Sequence, residues 1–115
     1  MKLIIAGGRT QRLSDRDRCL LDVIDEEHKV TEVVSGGARG VDRDGEQWAT
    51  KRGIPVKRFP VSFEDWRKLG LKAGPLRNAR MAAYADALAV FPGNNGTSSM
   101  VREAKKRGLK VFDFR

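Results

Sequence analysis

The sequence has 115 residues, with 23 Lys and Arg against 15 Asp and Glu and a net charge of +8. That length holds one hydrophobic core, and a composition 40% apolar and 33% charged excludes both a disordered chain and a membrane-embedded one. With one cysteine (Cys19) and one histidine (His28) there is no intrachain disulfide and no structural zinc site, and the run Leu3-Ile4-Ile5-Ala6 is too short for a signal peptide or a spanning helix.

Residues 2–6 read as a buried strand that stops at Gly7-Gly8. Ser14 is placed to cap the helix that follows, with Asp15 and Asp17 complementing the helix dipole and Leu20, Leu21 and Ile24 at helical spacing. Val30 to Val34 reads as a second strand, running into Ser35-Gly36-Gly37. Val41, Trp48 and Ala49 then predict a helix to about Gly53, a glycine suited to the position after a helix end, and Pro55 forbids continuation. Val56 to Phe59 is a third strand. The long connection after it contains Trp66, which either covers the core or stacks on a base. Pro75 suits the first turn of a third helix turning Leu76, Ala79, Ala82 and Ala83 inward. Ala87 to Phe91 is a strand apolar enough to be buried on both faces. Thr97 or Ser98 is expected to cap a last helix through Met100, Val101 and Ala104, and Lys110 to Phe114 is the final strand.

Strands alternating with helices at this spacing predict a single α/β domain over residues 1–115: a minimal Rossmann-like, three-layer fold with a five-stranded parallel sheet in the order 3-2-1-4-5. Such sheets bind ligands beyond the carboxyl ends of their strands, at the switch point between strands 1 and 4. Three glycine-rich loops fall there: Gly7-Gly8-Arg9-Thr10, Ser35-Gly36-Gly37-Ala38-Arg39-Gly40-Val41-Asp42, and Pro92-Gly93-Asn94-Asn95-Gly96-Thr97. Glycine lets backbone N–H groups approach an anion, and a helix N-terminus adds partial positive charge, so the three loops predict a site for a phosphate-bearing ligand. Arg9 could close over that ligand or sit in a surface ion pair. Asp42 serves either the N-terminus of its helix or the hydroxyls of a ribose. No G-x-x-x-x-G-K-[ST] motif occurs, so P-loop ATP hydrolysis has no support. The charge is uneven: residues 1–50 hold 8 Lys and Arg against 10 Asp and Glu, and residues 51–115 hold 15 against 5. The basic half serves either solubility or attraction to phosphate.

The run from Ser35 to Asp42, the run Ala73-Gly74-Pro75-Leu76-Arg77-Asn78-Ala79-Arg80-Met81 and the run from Pro92 to Thr97 together resemble the SLOG superfamily. The closer resemblance is to its YspA-type, YpsA-related branch of bacteria and their phages, and it extends from Gly7-Gly8-Arg9 to the last strand. The superfamily includes the LOG phosphoribohydrolases, which split nucleoside monophosphates into free base and ribose 5-phosphate. Their pattern is an Arg-Lys pair followed by Met, and later Pro-Gly-Gly-x-Gly-Thr-x-x-Glu. On it, Arg77 falls on the Arg, Asn78 on the Lys and Met81 on the Met, while Pro92, Gly93, Gly96 and Thr97 match. Asn94 replaces a glycine, and Met100 stands where the catalytic Glu is expected. Methionine cannot exchange a proton, and Glu103, one turn further on, is the weak remaining catalytic candidate.

The resemblance thus implies a retained phosphate cradle and a lost hydrolytic carboxylate. The reading it supports is a protein that binds a nucleotide or nucleotide-derived ligand, with neither cofactor nor metal. Backbone amides at Gly36-Gly37 and Gly93-Gly96, the Arg77 guanidinium, and the Ser35 and Thr97 hydroxyls would hold the phosphate. A role as sensor or sequestering protein in phage–host conflict follows by family analogy. One alternative is a LOG-like nucleoside 5′-monophosphate phosphoribohydrolase. The other is DprA-like binding of single-stranded nucleic acid, which the basic second half favours and the small aromatic content (5 Phe, 2 Trp, 1 Tyr) disfavours. LOG proteins assemble through their helices, so a homo-oligomer is expected, in the cytoplasm, that of the host if the chain is phage-encoded.

Overall fold

The five apolar runs form five parallel strands, β1 (Lys2–Ala6), β2 (Glu32–Ser35), β3 (Val56–Arg58), β4 (Ala87–Val90) and β5 (Lys110–Asp113), in a computed structural model that describes residues 1–115. They form one sheet in the order β3-β2-β1-β4-β5, so the winding reverses between β1 and β4 as the alternation predicts. Ile4 of β1 pairs in register with Val34 on one side and Leu88 on the other. Side chains of β1 alternate between two cores. Leu3 and Ile5 pack with Leu21 and Ile24 of α1 (Asp15–His28) and with Val41 and Trp48 of α2 (Val41–Lys51). Ile4 and Ala6 pack with Met81 and Ala82 of α4 (Ala73–Tyr84) and with Met100, Val101 and Ala104 of α5 (Asn95–Lys106). These are the three layers.

Local chemistry explains the helix ends. The Ser14 hydroxyl accepts from the Asp17 N–H at 3.1 Å and the Asp17 carboxylate accepts from the Ser14 N–H at 3.0 Å, a reciprocal capping box. The Trp48 indole donates to Asp22 at 2.8 Å, fastening α2 to α1. No helix is long and apolar enough to cross a membrane.

Three sequence expectations need correction. The connection after β3 contains a helix, α3 (Phe63–Leu69), capped by the Ser62 hydroxyl accepting from the Asp65 N–H at 3.0 Å. It buries no residue, yet Phe63, Trp66 and Leu69 recur at i, i+3 and i+6, the helical spacing by which it could have been read. In α4 the buried residues are Ala73, Asn78, Met81 and Ala82, whereas Leu76 and Ala83 are exposed. Asn78 turns inward because its amide bonds α5, which carries Leu76, two residues away, to the opposite face. Finally, α5 begins three to four residues earlier than expected, because the cap is Asn94, whose side chain accepts from the Gly96 N–H at 3.3 Å, and Thr97 lies buried inside the first turn.

Two glycines of similar φ separate backbone strain from close packing. Gly40 (φ 74°) has no room for a Cβ, which would collide with the carbonyl oxygen of Gly8 and the backbone of Arg9. Gly53 (φ 73°) follows the end of α2 and faces open space. Gly40→Ala should therefore cost about 2–4 kcal/mol in urea unfolding, and Gly53→Ala only about 1 kcal/mol.

Candidate functional site

The loops after β1, β2 and β4 meet through their backbones at the carboxyl edge of the sheet. The Gly8 N–H donates to the Pro92 carbonyl at 2.9 Å, and the Gly8 carbonyl accepts from the Val41 N–H at 3.3 Å. Glycine is required at this junction. A Cβ on Gly7 would lie 2.7 Å from Val41, and one on Gly93 would overlap the Thr97 side chain and come within 2.8 Å of the Gly8 nitrogen.

In front of the junction lies a cavity of about 470 Å³, large enough for a nucleotide-sized molecule. Of the residues singled out in the sequence, Gly7, Arg9, Gly36, Asp42, Arg77, Asn78, Gly96 and Thr97 line it, together with Met100. Gly8, Gly37, Gly40, Pro92 and Gly93 do not; Gly8, Gly40, Pro92 and Gly93 make the junction behind it. Ser35 does not face the cavity either: it is fully buried, and its hydroxyl accepts from the Gly37 N–H at 3.0 Å, shaping the loop. Glu103 is outside the lining and its carboxylate lies 3.4 Å from the Lys106 ammonium, so it does not stand in for the absent glutamate. Met100 is 2% exposed and joins the core beneath the cavity. Trp66 is half exposed and lines the cavity from α3 instead of covering the core.

The sequence reading did not single out Ser99 and Arg102 of α5, which also line the cavity. Their signal is helical periodicity counted from Asn94 and not from Thr97.

A hydrogen-bonded chain crosses the site from β2 to α5. Arg77 Nη1 donates to the carbonyls of Gly36 (2.8 Å) and Phe59 (3.2 Å), and its Nε donates to Asn78 Oδ1 at 3.1 Å. Asn78 Nδ2 continues to the Ser99 hydroxyl at 3.3 Å and the Gly96 carbonyl at 3.4 Å. Asn78 thus ties two helices together without adding charge. Arg77 makes no bond within the chain through Nη2. Burial pulls its pKa below the ordinary arginine value, though the guanidinium stays protonated at physiological pH.

Asp42 is the one carboxylate among the lining residues, and it is buried. It accepts from the Ala38 N–H at 3.2 Å and forms no ion pair. A Cβ on Gly36 would fall 2.9 Å from Arg77 Nη1 and 3.0 Å from Asp42 Oδ2, so Gly36 is the narrow point between the two charged groups. Burial raises the Asp42 pKa from 3.8 to about 6, against the lowering influence of the Ala38 N–H and of Arg77 and Arg9.

That shift has a definite sign in the stability. The native state binds the Asp42 proton more tightly than the unfolded chain, so burying the carboxylate is costly above pH 6, and the cost disappears as pH falls through 6 towards 4. Its full size is on the order of 3 kcal/mol. Asp42→Asn should unfold at higher urea than the wild type at pH 7, and the gap should close by about pH 4. Urea titrations of both proteins across this range check it.

Comparison with known proteins sets the fold and the loops in a family. Residues 1–68 match the model of the YspA, cpYpsA-related SLOG family. The chain is 38% identical over 123 aligned positions to the gene 61 protein of Mycobacterium phage D29, covering 98% of this chain and 95% of that protein. Among solved structures it superposes on DNA processing protein A (DprA) of Streptococcus pneumoniae with a TM-score of 0.72 at 18% identity, covering 97% of this chain and 49% of DprA. It superposes on TM1055, a structural-genomics target, with a TM-score of 0.70 at 19% identity, covering 96% of this chain and 71% of TM1055. The chain spans about half of DprA, and at these identities both structures speak for the shared fold. With its glycine loops, its sheet order and a match over more than half its length, the chain belongs to the YspA, cpYpsA-related SLOG family.

Proposed function

We propose that the protein binds a nucleotide or nucleotide-derived ligand in the cavity at the carboxyl edge of its sheet. The observation that carries this reading is Arg77: a partly buried guanidinium, fixed by two backbone carbonyls and Asn78, beside the N-terminus of α5. The first N–H groups of a helix lack intrahelical acceptors, and with a fixed guanidinium they favour a phosphate. Asp42, across Gly36 from Arg77, suits the hydroxyls of a ribose, and Trp66 offers a ring to the base. Sensing or sequestering a nucleotide signal is the biological role this chemistry serves, in the host cytoplasm for a phage-borne chain. The relative in a mycobacteriophage supports that setting.

A second reading has one observation in its favour. The cavity does hold a carboxylate, Asp42, with a pKa raised to about 6, which suits acid–base work in cleavage of an N-glycosidic bond. It comes from α2 and not from the Met100 position.

The exposed apolar side chains Phe63 (78%) and Leu71 (91%), the latter at the cavity wall, support assembly into a homo-oligomer through the α3–α4 segment. Sedimentation of wild type and Phe63→Ser/Leu71→Ser should then differ in mass.

Trp66 reports binding directly, since Trp48 is buried and bonded to Asp22. Titration with nucleoside 5′-monophosphates should change the fluorescence, with Trp66→Phe removing the signal. Arg77→Ala should weaken binding by about 10- to 150-fold, the worth of charge-assisted hydrogen bonds of about 1.5–3 kcal/mol. Glu103→Gln should change nothing. Chromatography should find no free base released; release that vanishes in Asp42→Asn would establish the second reading instead.

A further inference from the structure

Beyond Arg9, which lines the main cavity, the surface opens into a second cleft of about 310 Å³. Four arginines line it, Arg9, Arg12, Arg39 and Arg43, against one carboxylate, Asp44, with Thr10 and Gln47 as neutral polar neighbours and no hydrophobic residue. The cleft is built by the same backbone junction as the cavity. Gly40 packs against the carbonyls of Gly8 and Arg9, which brings Arg39 up beside the loop that carries Arg9 and Arg12.

Arg12 is held in place. Its Nε donates to Asp44 Oδ2 at 2.9 Å and its Nη2 to Oδ1 at 3.1 Å, and the same carboxylate accepts from the Leu13 N–H at 2.9 Å. Asp44 is 2% exposed, and the Arg12 hydrogen bond keeps its pKa below the ordinary carboxylate range. Arg9, Arg39 and Arg43 are exposed and make no ion pair and no side-chain hydrogen bond. Asp44 therefore answers one guanidinium; Arg39 and Arg43 have no carboxylate in contact, and Arg9 acts on Asp42 only at longer range. Like charges repel, and an anion placed among them relieves the repulsion while taking several charge-assisted hydrogen bonds. No aromatic ring lines the cleft, so it offers a base nothing to stack on. Forked donors alone match phosphate oxygens.

We propose that this cleft is a second anion subsite, which binds the phosphate chain of a nucleoside di- or triphosphate whose nucleoside and first phosphate occupy the main cavity, with Arg9 touching both. The proposal rests on the nucleotide-binding reading above and deepens it: the preferred ligand is a nucleotide with more than one phosphate. A monophosphate leaves the cleft unused. Charge steering by Arg39 and Arg43 also gives the longer phosphate chain a faster, salt-sensitive association.

The test is calorimetric titration of wild type and Arg39→Gln/Arg43→Gln at one fixed ionic strength. The probes are the four common ribonucleoside 5′-mono-, di- and triphosphates, inorganic tripolyphosphate and a short single-stranded DNA. Both arginines are exposed and unbonded, so the double variant should keep the wild-type melting temperature. We expect a di- or triphosphate to bind wild type about 10-fold or more tightly than the monophosphate of the same base. That gain should disappear in the double variant, whose affinity for the monophosphate stays at the wild-type value. Equal affinity for mono- and triphosphate, or a gain that survives in the double variant, overturns the proposal. Loss of DNA binding in the double variant with no change for any nucleotide overturns it in favour of a nucleic-acid backbone. Tripolyphosphate separates this proposal from the reading beneath it. If it binds wild type and not the double variant while no nucleotide binds, the nucleotide reading of the cavity falls and the shared ligand with it, leaving the cleft a site for free polyphosphate. Equal affinity for mono- and triphosphate leaves the reading and overturns the proposal alone.

Discussion

Gly8 holds its neighbours by backbone alone: its N–H donates to Pro92 and its carbonyl accepts from Val41, so the loops after β1, β2 and β4 touch at one point. A side chain on Gly7, Gly40 or Gly93 would push these loops apart. Both the cavity and the arginine cleft open from this junction, one lined by Gly7 and the other by Gly40, with Arg9 shared between them. The glycines often read as direct phosphate ligands thus divide into two kinds. Gly7, Gly36 and Gly96 face the cavity, whereas Gly8, Gly40 and Gly93 provide the close backbone approach that makes a cavity there at all.

Charge is arranged against stability within the cavity and in favour of it outside. Asp44 and Glu46 of α2 are buried, but each receives two hydrogen bonds from an arginine, Arg12 and Arg58 respectively. Asp42, on the same helix, has one backbone N–H and no guanidinium in contact, and burial raises its pKa. A carboxylate buried at a cost, on a cavity wall and opposite Arg77, is the pattern expected where function and not folding selects the residue. Arg77 is the complementary case. Its bonds to Gly36 and Phe59 secure the β2 and β3 loop ends, and it still presents free donors.

Much of the architecture was legible from short-range chemistry. Five apolar runs separated by helical spacing, with Ser14 as a cap and Gly53 after a helix end, predict the strand order that the sheet adopts. The elements that escaped were those without a burial signature. α3 is capped and charged like a helix but buries nothing, and α4 is rotated because Asn78 is drawn inward by a partner on α5. Counting charge by halves was also misleading. The first half is the acidic one, yet all four arginines of the cleft come from it, because its carboxylates on α1 and α2, apart from Asp44 on Arg12, are spent on other arginines or face elsewhere.

By itself the sequence determined the fold class, the strand order and the three loops at one edge, because these follow from periodicity, caps and glycine placement along the chain. Arg77, Asp42 and Thr97, singled out in the sequence, line one cavity. Only the tertiary structure decided that Ser35 turns into its own loop, that Glu103 lies apart from the cavity, and that Arg9 joins two clefts. Side-chain direction and the meeting of Arg9, Arg12, Arg39 and Arg43 depend on packing between segments some 30 residues apart, and no local pattern along the chain encodes that distance.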